Sequence, residues 1–380
     1  MTKTYLSHST IISALGFSTQ ENIRNVEANV SGVKLIDDTS YFHSPFYGSI
    51  INKDRLHSAF KKLEYNMEAS VLEQAMICSL AEVISASKLK ISSKTGLIIS
   101  TTKGNIDALN QQNQNSAYLS TLGQKVKNAF GFKQQPIVVS NACVSGVLAL
   151  SVAKRYLLEN EYDNVFVVSG DLVSEFILSG FNSFQAMSAE PCKPYDAKRK
   201  GINIGEAVAS ILVTKSTANL SEDAVELLGE SSINDANHIS GPSRTGEGLS
   251  RSITIALKEA GLKATDIDYI SAHGTATLFN DNMEAEAFNR IGLQKTPVNS
   301  YKAYYGHTLG ASGLLETILA MQSLHKNTLF TSLGFTNLGT NKALNVISKN
   351  QKTTLNYALK TASGFGGVNT TVVFKKLNEL

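Results

Sequence analysis

The 380-residue sequence contains no Trp, six Pro and three Cys, and only 18% of its residues are charged. Three cysteines, Cys78, Cys143 and Cys192, cannot build a disulfide framework, so a reducing, cytoplasmic setting is expected. The formal net charge of +3 lacks the basic excess of a nucleic-acid binder. No long hydrophobic run exists. The most apolar stretch, Val144 to Ala153, ends at Lys154-Arg155, far short of the roughly 20 residues that span a bilayer. Met1 to Gln20 lacks a basic stretch followed by an apolar core, so no signal peptide is expected. No Gly-Lys-Ser/Thr phosphate loop occurs. No Cys or His pairs have zinc-ligand spacing, so no metal site is expected.

What is present is a large apolar interior: 42% of the residues are hydrophobic. A chain of this length forms two similar halves or one large α/β unit. Short β-rich runs at Gly96–Ser100, Pro136–Ser140, Asn164–Ser169, Val208–Val213, Ile267–Ala272 and Asn369–Phe374 alternate with helical patterns. Those patterns lie at Glu68–Ser87, Leu109–Ala129, Val144–Leu158, Gly248–Ala260 and Gly313–His325. The alternation predicts an α/β fold. The polar stretch Lys215 to Asp223 is the natural join, giving halves of 1–217 and 218–380.

Two helical segments, beginning at Val144 and Leu309, are apolar or small on nearly every face. Helices without a polar stripe are buried, so one from each half is expected between two sheets. Each starts next to a reactive residue, Cys143 or His307. Cys143 follows an apolar run and precedes a helix, where the free N–H groups favour a thiolate and can bind an oxyanion. A small buried hydrophobe is the competing reading. His273, at a strand end, is followed by Gly274, Thr275 and Thr277, which suit close approach of a polar ligand. On residue context alone, both histidines can equally be structural.

The segments Ile12-Ser-Ala-Leu-Gly, Asn141-Ala-Cys-Val-Ser-Gly and Pro194-Tyr-Asp-Ala-Lys-Arg-Lys-Gly-Ile-Asn-Ile-Gly-Glu-Ala stand in order along the chain. Ala272-His-Gly-Thr-Ala-Thr with Asn280, Asp281 and Glu284 follows. Ser300-Tyr-Lys-Ala-Tyr-Tyr-Gly-His-Thr-Leu-Gly-Ala-Ser-Gly with Glu316, and Gly364-Phe-Gly-Gly-Val-Asn, complete the series. Together they resemble the β-ketoacyl-acyl-carrier-protein synthases of the thiolase superfamily, elongating Cys-His-His type. The resemblance implies a five-layered αβαβα fold of two pseudo-symmetric halves. It also implies decarboxylative condensation of an acyl thioester with a malonyl carrier protein, in fatty acid, polyene or polyketide synthesis.

By the same resemblance, Cys143 is the nucleophile, and His273 and His307 assist decarboxylation. Lys302 and Glu316 are the charged pair behind them, and the N–H groups of Cys143 and Phe365 form the oxyanion hole. Phe365 is also the gate, and Thr275 and Thr277 meet the phosphopantetheine arm. The implied partners are an acidic acyl carrier protein, with Lys62 and Arg199 as docking candidates, and a second synthase subunit in a homodimer or heterodimer. No bound cofactor is implied.

The pattern is not followed everywhere. Lys200, Ala207, Tyr301, Tyr304, Tyr305, Leu278-Phe279 and Val368 replace other residues, and the segment between Gly104 and Asn141 is short. These departures point to a specialised acyl substrate. A thiolase would need a second Cys near the C-terminus, and none follows Cys192. A starter-type synthase would have Asn at His307. A chain-length-factor-like subunit, the non-catalytic alternative, would lack the nucleophile.

Overall fold

Strand residues that alternate between two apolar environments explain the layering. The computed structural model describes residues 3–110, 114–235 and 241–377. The first half contributes strands β1 (Tyr5–Ser13), β2 (Thr95–Ser100), β3 (Ile137–Val139), β4 (Asn164–Asp171) and β5 (Ala207–Thr214). The second contributes β6 (Val225–Asn234), β7 (Tyr269–Ser271), β8 (Pro297–Asn299), β9 (Tyr357–Gly364) and β10 (Val368–Lys376). The helices that matter here are α1 (Val71–Ser87), α2 (Leu119–Phe130), α3 (Ser145–Leu158), α4 (Glu175–Ser183), α5 (Glu247–Ala260), α6 (Leu278–Arg290) and α7 (Ser312–Lys326).

The first sheet runs β3-β2-β4-β5-β1, and the second β8-β7-β9-β10-β6. In each, two antiparallel pairings at one end give way to parallel pairings at the other, two in the first half and three in the second, where Asn345–Val346 adds a further edge strand. The two halves therefore share one topology. Their sheets meet edge to edge where Tyr5 and Leu6 pair with Glu226 and Val225.

Along β4, Val165 and Val167 face one core while Phe166 and Val168 face another. A strand buried on both faces reads as a continuous apolar run, which is what the sequence has there. Leu72, Met76 and Leu80 of α1 cover the outer face of the first sheet. Leu249, Ile253 and Leu257 of α5 cover the outer face of the second. Between the sheets lie α3 and α7, which completes five layers, αβαβα. The expected burial of both helices is found, and every residue from Ser312 to Leu324 in α7 is buried.

Small residues set how closely the central helices approach. A Cβ on Gly146 would lie 2.6 Å from the Leu314 backbone nitrogen, and one on Gly313 would lie 2.7 Å from that of Val147. The two backbones touch there, and the helix starts sit side by side.

Some expectations need correction. The helix expected over Leu109–Ala129 begins only at Leu119. The preceding Gln/Asn-rich stretch forms two short 3₁₀ turns, because such side chains compete for backbone hydrogen bonds; residues 111–113 lie outside the described residues. Strands β1, β6, β8 and β9 were not expected; β8 is only three residues long. Polar or charged residues interrupt the apolar pattern of the others, such as Glu226 and Glu230 in β6 and Lys360 in β9. Helix α6 was missed for a related reason: its buried face is built from Asn280, Asp281 and Glu284 as well as apolar residues.

The helix contact makes a simple prediction. Gly313→Ala should destabilise the fold by about 1–3 kcal/mol through overpacking. Gly180→Ala, in α4 where an added Cβ meets nothing within 4 Å, should stabilise it by about 0.5–1 kcal/mol. Urea unfolding of the two variants measures both signs, and equal effects would contradict the contact.

Candidate active site

The turn from β3 into α3 carries Cys143. Ala142 before it has φ 43°, a left-handed conformation that sharpens the turn. The turn is braced by Ser145, whose Oγ donates to the Ala142 carbonyl at 2.6 Å and accepts from the Asn141 N–H at 2.8 Å. Cys143 is 8% exposed. The backbone N–H groups of Phe365 and of Cys143 itself face its sulfur. Gly364 permits this approach, since a Cβ there would lie 3.2 Å from the Cys143 nitrogen.

The loop after β7 carries His273. Its shape is set by Glu284 of α6, whose carboxylate accepts the N–H groups of His273 and Gly274, both at 2.8 Å. The same carboxylate accepts the Tyr195 hydroxyl at 2.9 Å. Gly274 sits at φ 42°, and a Cβ there would fall 2.4 Å from the Ser300 Cβ. No side chain fits.

His307 precedes α7. Its N–H donates to the Asn203 carbonyl at 2.6 Å and its carbonyl accepts from Gly205 at 3.0 Å. Its Nδ1 accepts the Leu309 N–H at 3.3 Å and lies 2.9 Å from the Ser312 Oγ. A ring nitrogen that accepts a backbone N–H carries no proton. The proton is therefore on Nε2, which is buried and unpartnered. Leu309 pays for this arrangement with φ 55°, a rare conformation for a bulky residue. The neighbouring Gly310 N–H is held at 2.8 Å by Asp171 at the end of β4.

The three loops converge. The Cys143, His273 and His307 donor atoms lie within 4.8 Å of one another, and all three residues are buried. The histidine rings meet edge to face at 5.3 Å. Behind them, Glu316 of α7 takes the Lys302 ammonium at 2.7 Å and the Lys360 ammonium at 2.6 Å.

Burial and the positive charge of Lys302 hold both imidazoles well below their ordinary range, so both are neutral. Unfolded, these imidazoles take up protons below about 6.5. The folded chain resists that protonation, so their contribution to stability is present above that pH and is lost as acid is added. Burial pushes the Cys143 thiol up to about 11, with Lys302 opposing it. The thiolate expected at the helix start is thus not the resting state, because dehydration outweighs the helix field.

Three donors this close could hold a metal ion, which spacing along the sequence did not reveal. Two ammonium groups sharing one carboxylate directly behind the histidines work against a cation there.

The triad opens into a cavity of about 450 Å³. Phe365 stacks on Phe181 at 5.6 Å, and Phe181 meets the His307 ring at 6.3 Å. Thr275 and Thr277 line the cavity, with their hydroxyls 2.8 Å apart. Lys302 and Glu316 are buried and paired with each other.

Arg199 is not the exposed cation that a docking role requires. It is 5% exposed, its guanidinium 3.5 Å from Asp281 and bonded to the carbonyls of Asp196 and Gly339. The exposed cation at the cavity rim is its neighbour Lys200. Lys62 is exposed but does not line the cavity. Tyr301, Tyr304 and Tyr305 are packed in the central core and do not line the cavity, whereas Leu278 and Phe279 do.

The sequence reading missed the roles of Glu284, Asp171, Ser312 and Lys360. Lys360 left a signal, since it is the one charged residue in the strand Tyr357–Gly364.

Comparisons with known proteins bear on the family and the fold. The family model described as Beta-ketoacyl synthase, N-terminal domain, covers residues 13–219, and that described as Beta-ketoacyl synthase, C-terminal domain, covers residues 225–336. The chain belongs to the beta-ketoacyl synthase family. It is 31% identical over 254 residues to 3-oxoacyl-[acyl-carrier-protein] synthase 2 of Rhizobium meliloti, an alignment spanning 63% of this chain and 60% of that protein. It is 26% identical over 413 residues to a mitochondrial 3-oxoacyl-[acyl-carrier-protein] synthase of Schizosaccharomyces pombe described as putative, spanning 96% and 97%.

Among solved structures, a chain from the complex of a ketosynthase with its chain length factor from Xenorhabdus doucetiae superposes with a TM-score of 0.87 at 23% identity. That match covers 99% of this chain and 98% of the other. A beta-ketoacyl synthase from Burkholderia phymatum gives the same TM-score at 22% identity, covering all of both chains. These structures establish the thiolase-like fold of the family for this chain.

The buried thiol gives a test that needs no substrate. The rate of Cys143 alkylation by iodoacetamide should rise about tenfold per pH unit from 7 to 9. A plateau below pH 8, read by peptide mass spectrometry, would contradict a protonated resting thiol.

Proposed function

We propose that this chain catalyses decarboxylative Claisen condensation of an acyl thioester with malonyl-acyl carrier protein, giving a 3-oxoacyl carrier protein. The observation that carries the reading is the convergence of Cys143, His273 and His307 at the base of one cavity.

The groups suit each step. In the first, the Cys143 sulfur attacks the acyl thioester carbonyl. The oxyanion that forms is met by the N–H groups of Cys143 and Phe365; as it collapses the bond to the carrier sulfur breaks, and that sulfur leaves as a thiol with the proton that Cys143 gives up. In the second, the malonyl thioester carbonyl lies between the two histidines. His307 offers Nε2–H, and His273 is neutral with a free ring nitrogen. As the carbon–carbon bond to the carboxylate breaks, carbon dioxide leaves and negative charge moves onto that carbonyl oxygen. Neutral donors already in place stabilise it without reorganising. In the third, the enolate carbon attacks the acyl-Cys143 carbonyl and the cysteine sulfur leaves. The burial of all three residues restricts the access of water to the enolate.

The halves 1–217 and 218–380 divide the work, the first supplying the nucleophile and the second both imidazoles. No bound cofactor enters this scheme, because the phosphopantetheine arm arrives on the carrier, alongside Thr275 and Thr277. An acidic carrier would meet Lys200 at the rim, with Lys62 a more distant candidate. Pairing with a second synthase subunit, identical or related, is supported by the edge strand β3 and by exposed Tyr118 and Phe176 in the first half. The three free thiols and the lack, among the described residues, of a helix long and apolar enough to cross a membrane accord with a cytoplasmic setting. A pocket-shaping subunit without activity is disfavoured by the intact triad. The departures at Leu278, Phe279 and Lys200 line the cavity, which supports a specialised acyl chain.

Intact-mass analysis after mixing with acyl carrier protein tests the reaction. Cys143→Ala should abolish acyl transfer to the protein, and His307→Ala should still acylate but lose at least about a hundredfold in malonyl decarboxylation. Undiminished acylation of the first variant, or normal decarboxylation by the second, would overturn the assignment. Condensation rates on saturated, polyunsaturated and aryl carriers test the substrate: a clear preference for long saturated chains would sink the specialised reading.

A further inference from the structure

Lys360 is a second fully buried lysine beside the triad, and the reaction scheme above assigns it no task. It lies mid-strand in β9, between Ala358 and Ala362, which face the central helices. Its side chain points into the same layer and is 0% exposed. Every hydrogen of the ammonium has an oxygen partner. Nζ donates to the Thr361 carbonyl at 2.7 Å and to the Ser271 and Ala272 carbonyls at 3.3 Å each, and the Glu316 carboxylate lies 2.6 Å away.

One of those carbonyls, Ser271, ends β7, and the next, Ala272, immediately precedes His273. Glu316 is shared with Lys302 at 2.7 Å. Another buried carboxyl nearby, Glu284, is committed to the N–H groups of His273 and Gly274. A buried ammonium is costly even when paired.

Resting on the condensation reading, we propose that Lys360 is a positioning residue for decarboxylation. Its ammonium clamps the strand end that carries His273, and together with Lys302 it places positive charge behind both imidazoles. That charge lowers the affinity of His273 and His307 for protons, with burial the larger cause and Lys302 the stronger of the two lysines. It also favours the enolate that forms in front of them. Acyl transfer to Cys143 depends less on it, because the oxyanion then sits between the N–H groups of Cys143 and Phe365.

The test uses the full-length protein with acyl and malonyl carrier proteins, and follows acylation and decarboxylation separately. Lys360→Gln keeps volume and donors but removes the charge; Lys360→Ala leaves an oxygen-lined gap. Decarboxylation by Lys360→Gln should fall about tenfold or more while acylation falls much less. The acid limb of its decarboxylation profile should move to higher pH. Methylamine should restore part of the rate to Lys360→Ala.

Equal loss of both steps without rescue, or no loss of either, overturns the proposal. Should either variant fold poorly, by circular dichroism, the other carries the comparison. Should neither fold, the lysine is a structural ion-pair member and the proposal fails. If the wild-type protein itself does not acylate Cys143, the condensation reading has failed instead. The electrostatic part is then read by proton NMR, in which Lys360→Gln should raise the titration midpoints of His273 and His307. Unmoved midpoints overturn it.

Discussion

The site depends on the contact between the two central helices. At Gly146 and Gly313 the backbones of α3 and α7 touch, with no room for a Cβ on either. That contact fixes the helix starts side by side, so the turn leading into one, with Cys143, meets the loop leading into the other, with His307. The shared sheet topology does the rest, since the strand end of β7 in the second half brings His273 to the same point. Asp171 ties the halves together at this junction. It reaches from β4 to the Thr102 and Gly310 N–H groups, both at 2.8 Å.

Charge then decides what these residues can do. Burial alone would leave the imidazoles neutral, and the lysines behind them reinforce that state. Neutral histidines donate hydrogen bonds without delivering a full positive charge, which suits an enolate that must remain nucleophilic. The same burial keeps the Cys143 thiol protonated at rest, so the nucleophile is formed only as it reacts, with two N–H groups and the Lys302 charge favouring the developing anion. Strain is concentrated here as well: Ala142 and Leu309, both next to the triad, hold left-handed conformations.

Much of this was legible in the sequence, for identifiable reasons. The buried helices were visible because a helix enclosed on all faces has no polar stripe, and the triad was visible because its loops carry distinctive motifs. Strands β6 and β9 were not, because their buried polar residues break the apolar pattern that marks a strand. Glu284 and Lys360 escaped as functional groups because a lone charged residue reads as solvent-exposed until its partners, which lie elsewhere in the chain, are in place. Arg199 failed in the opposite sense. It reads as a surface cation, yet Asp281 and two backbone carbonyls draw it inside. Tyr301, Tyr304 and Tyr305 depart from the family pattern close to His307, but the short helix Lys302–Tyr305 and its N-cap Tyr301 turn them into the core.

The central claim is that the fold presents two neutral imidazoles to the reacting carbonyl, His307 through a protonated Nε2. Nitrogen-15 NMR of histidine-labelled protein between pH 6 and 8 reads both charge and tautomer. The account predicts that His273 and His307 remain neutral throughout, with the His307 proton on Nε2. An imidazolium signal from either residue at pH 6, or a His307 proton on Nδ1, would contradict it.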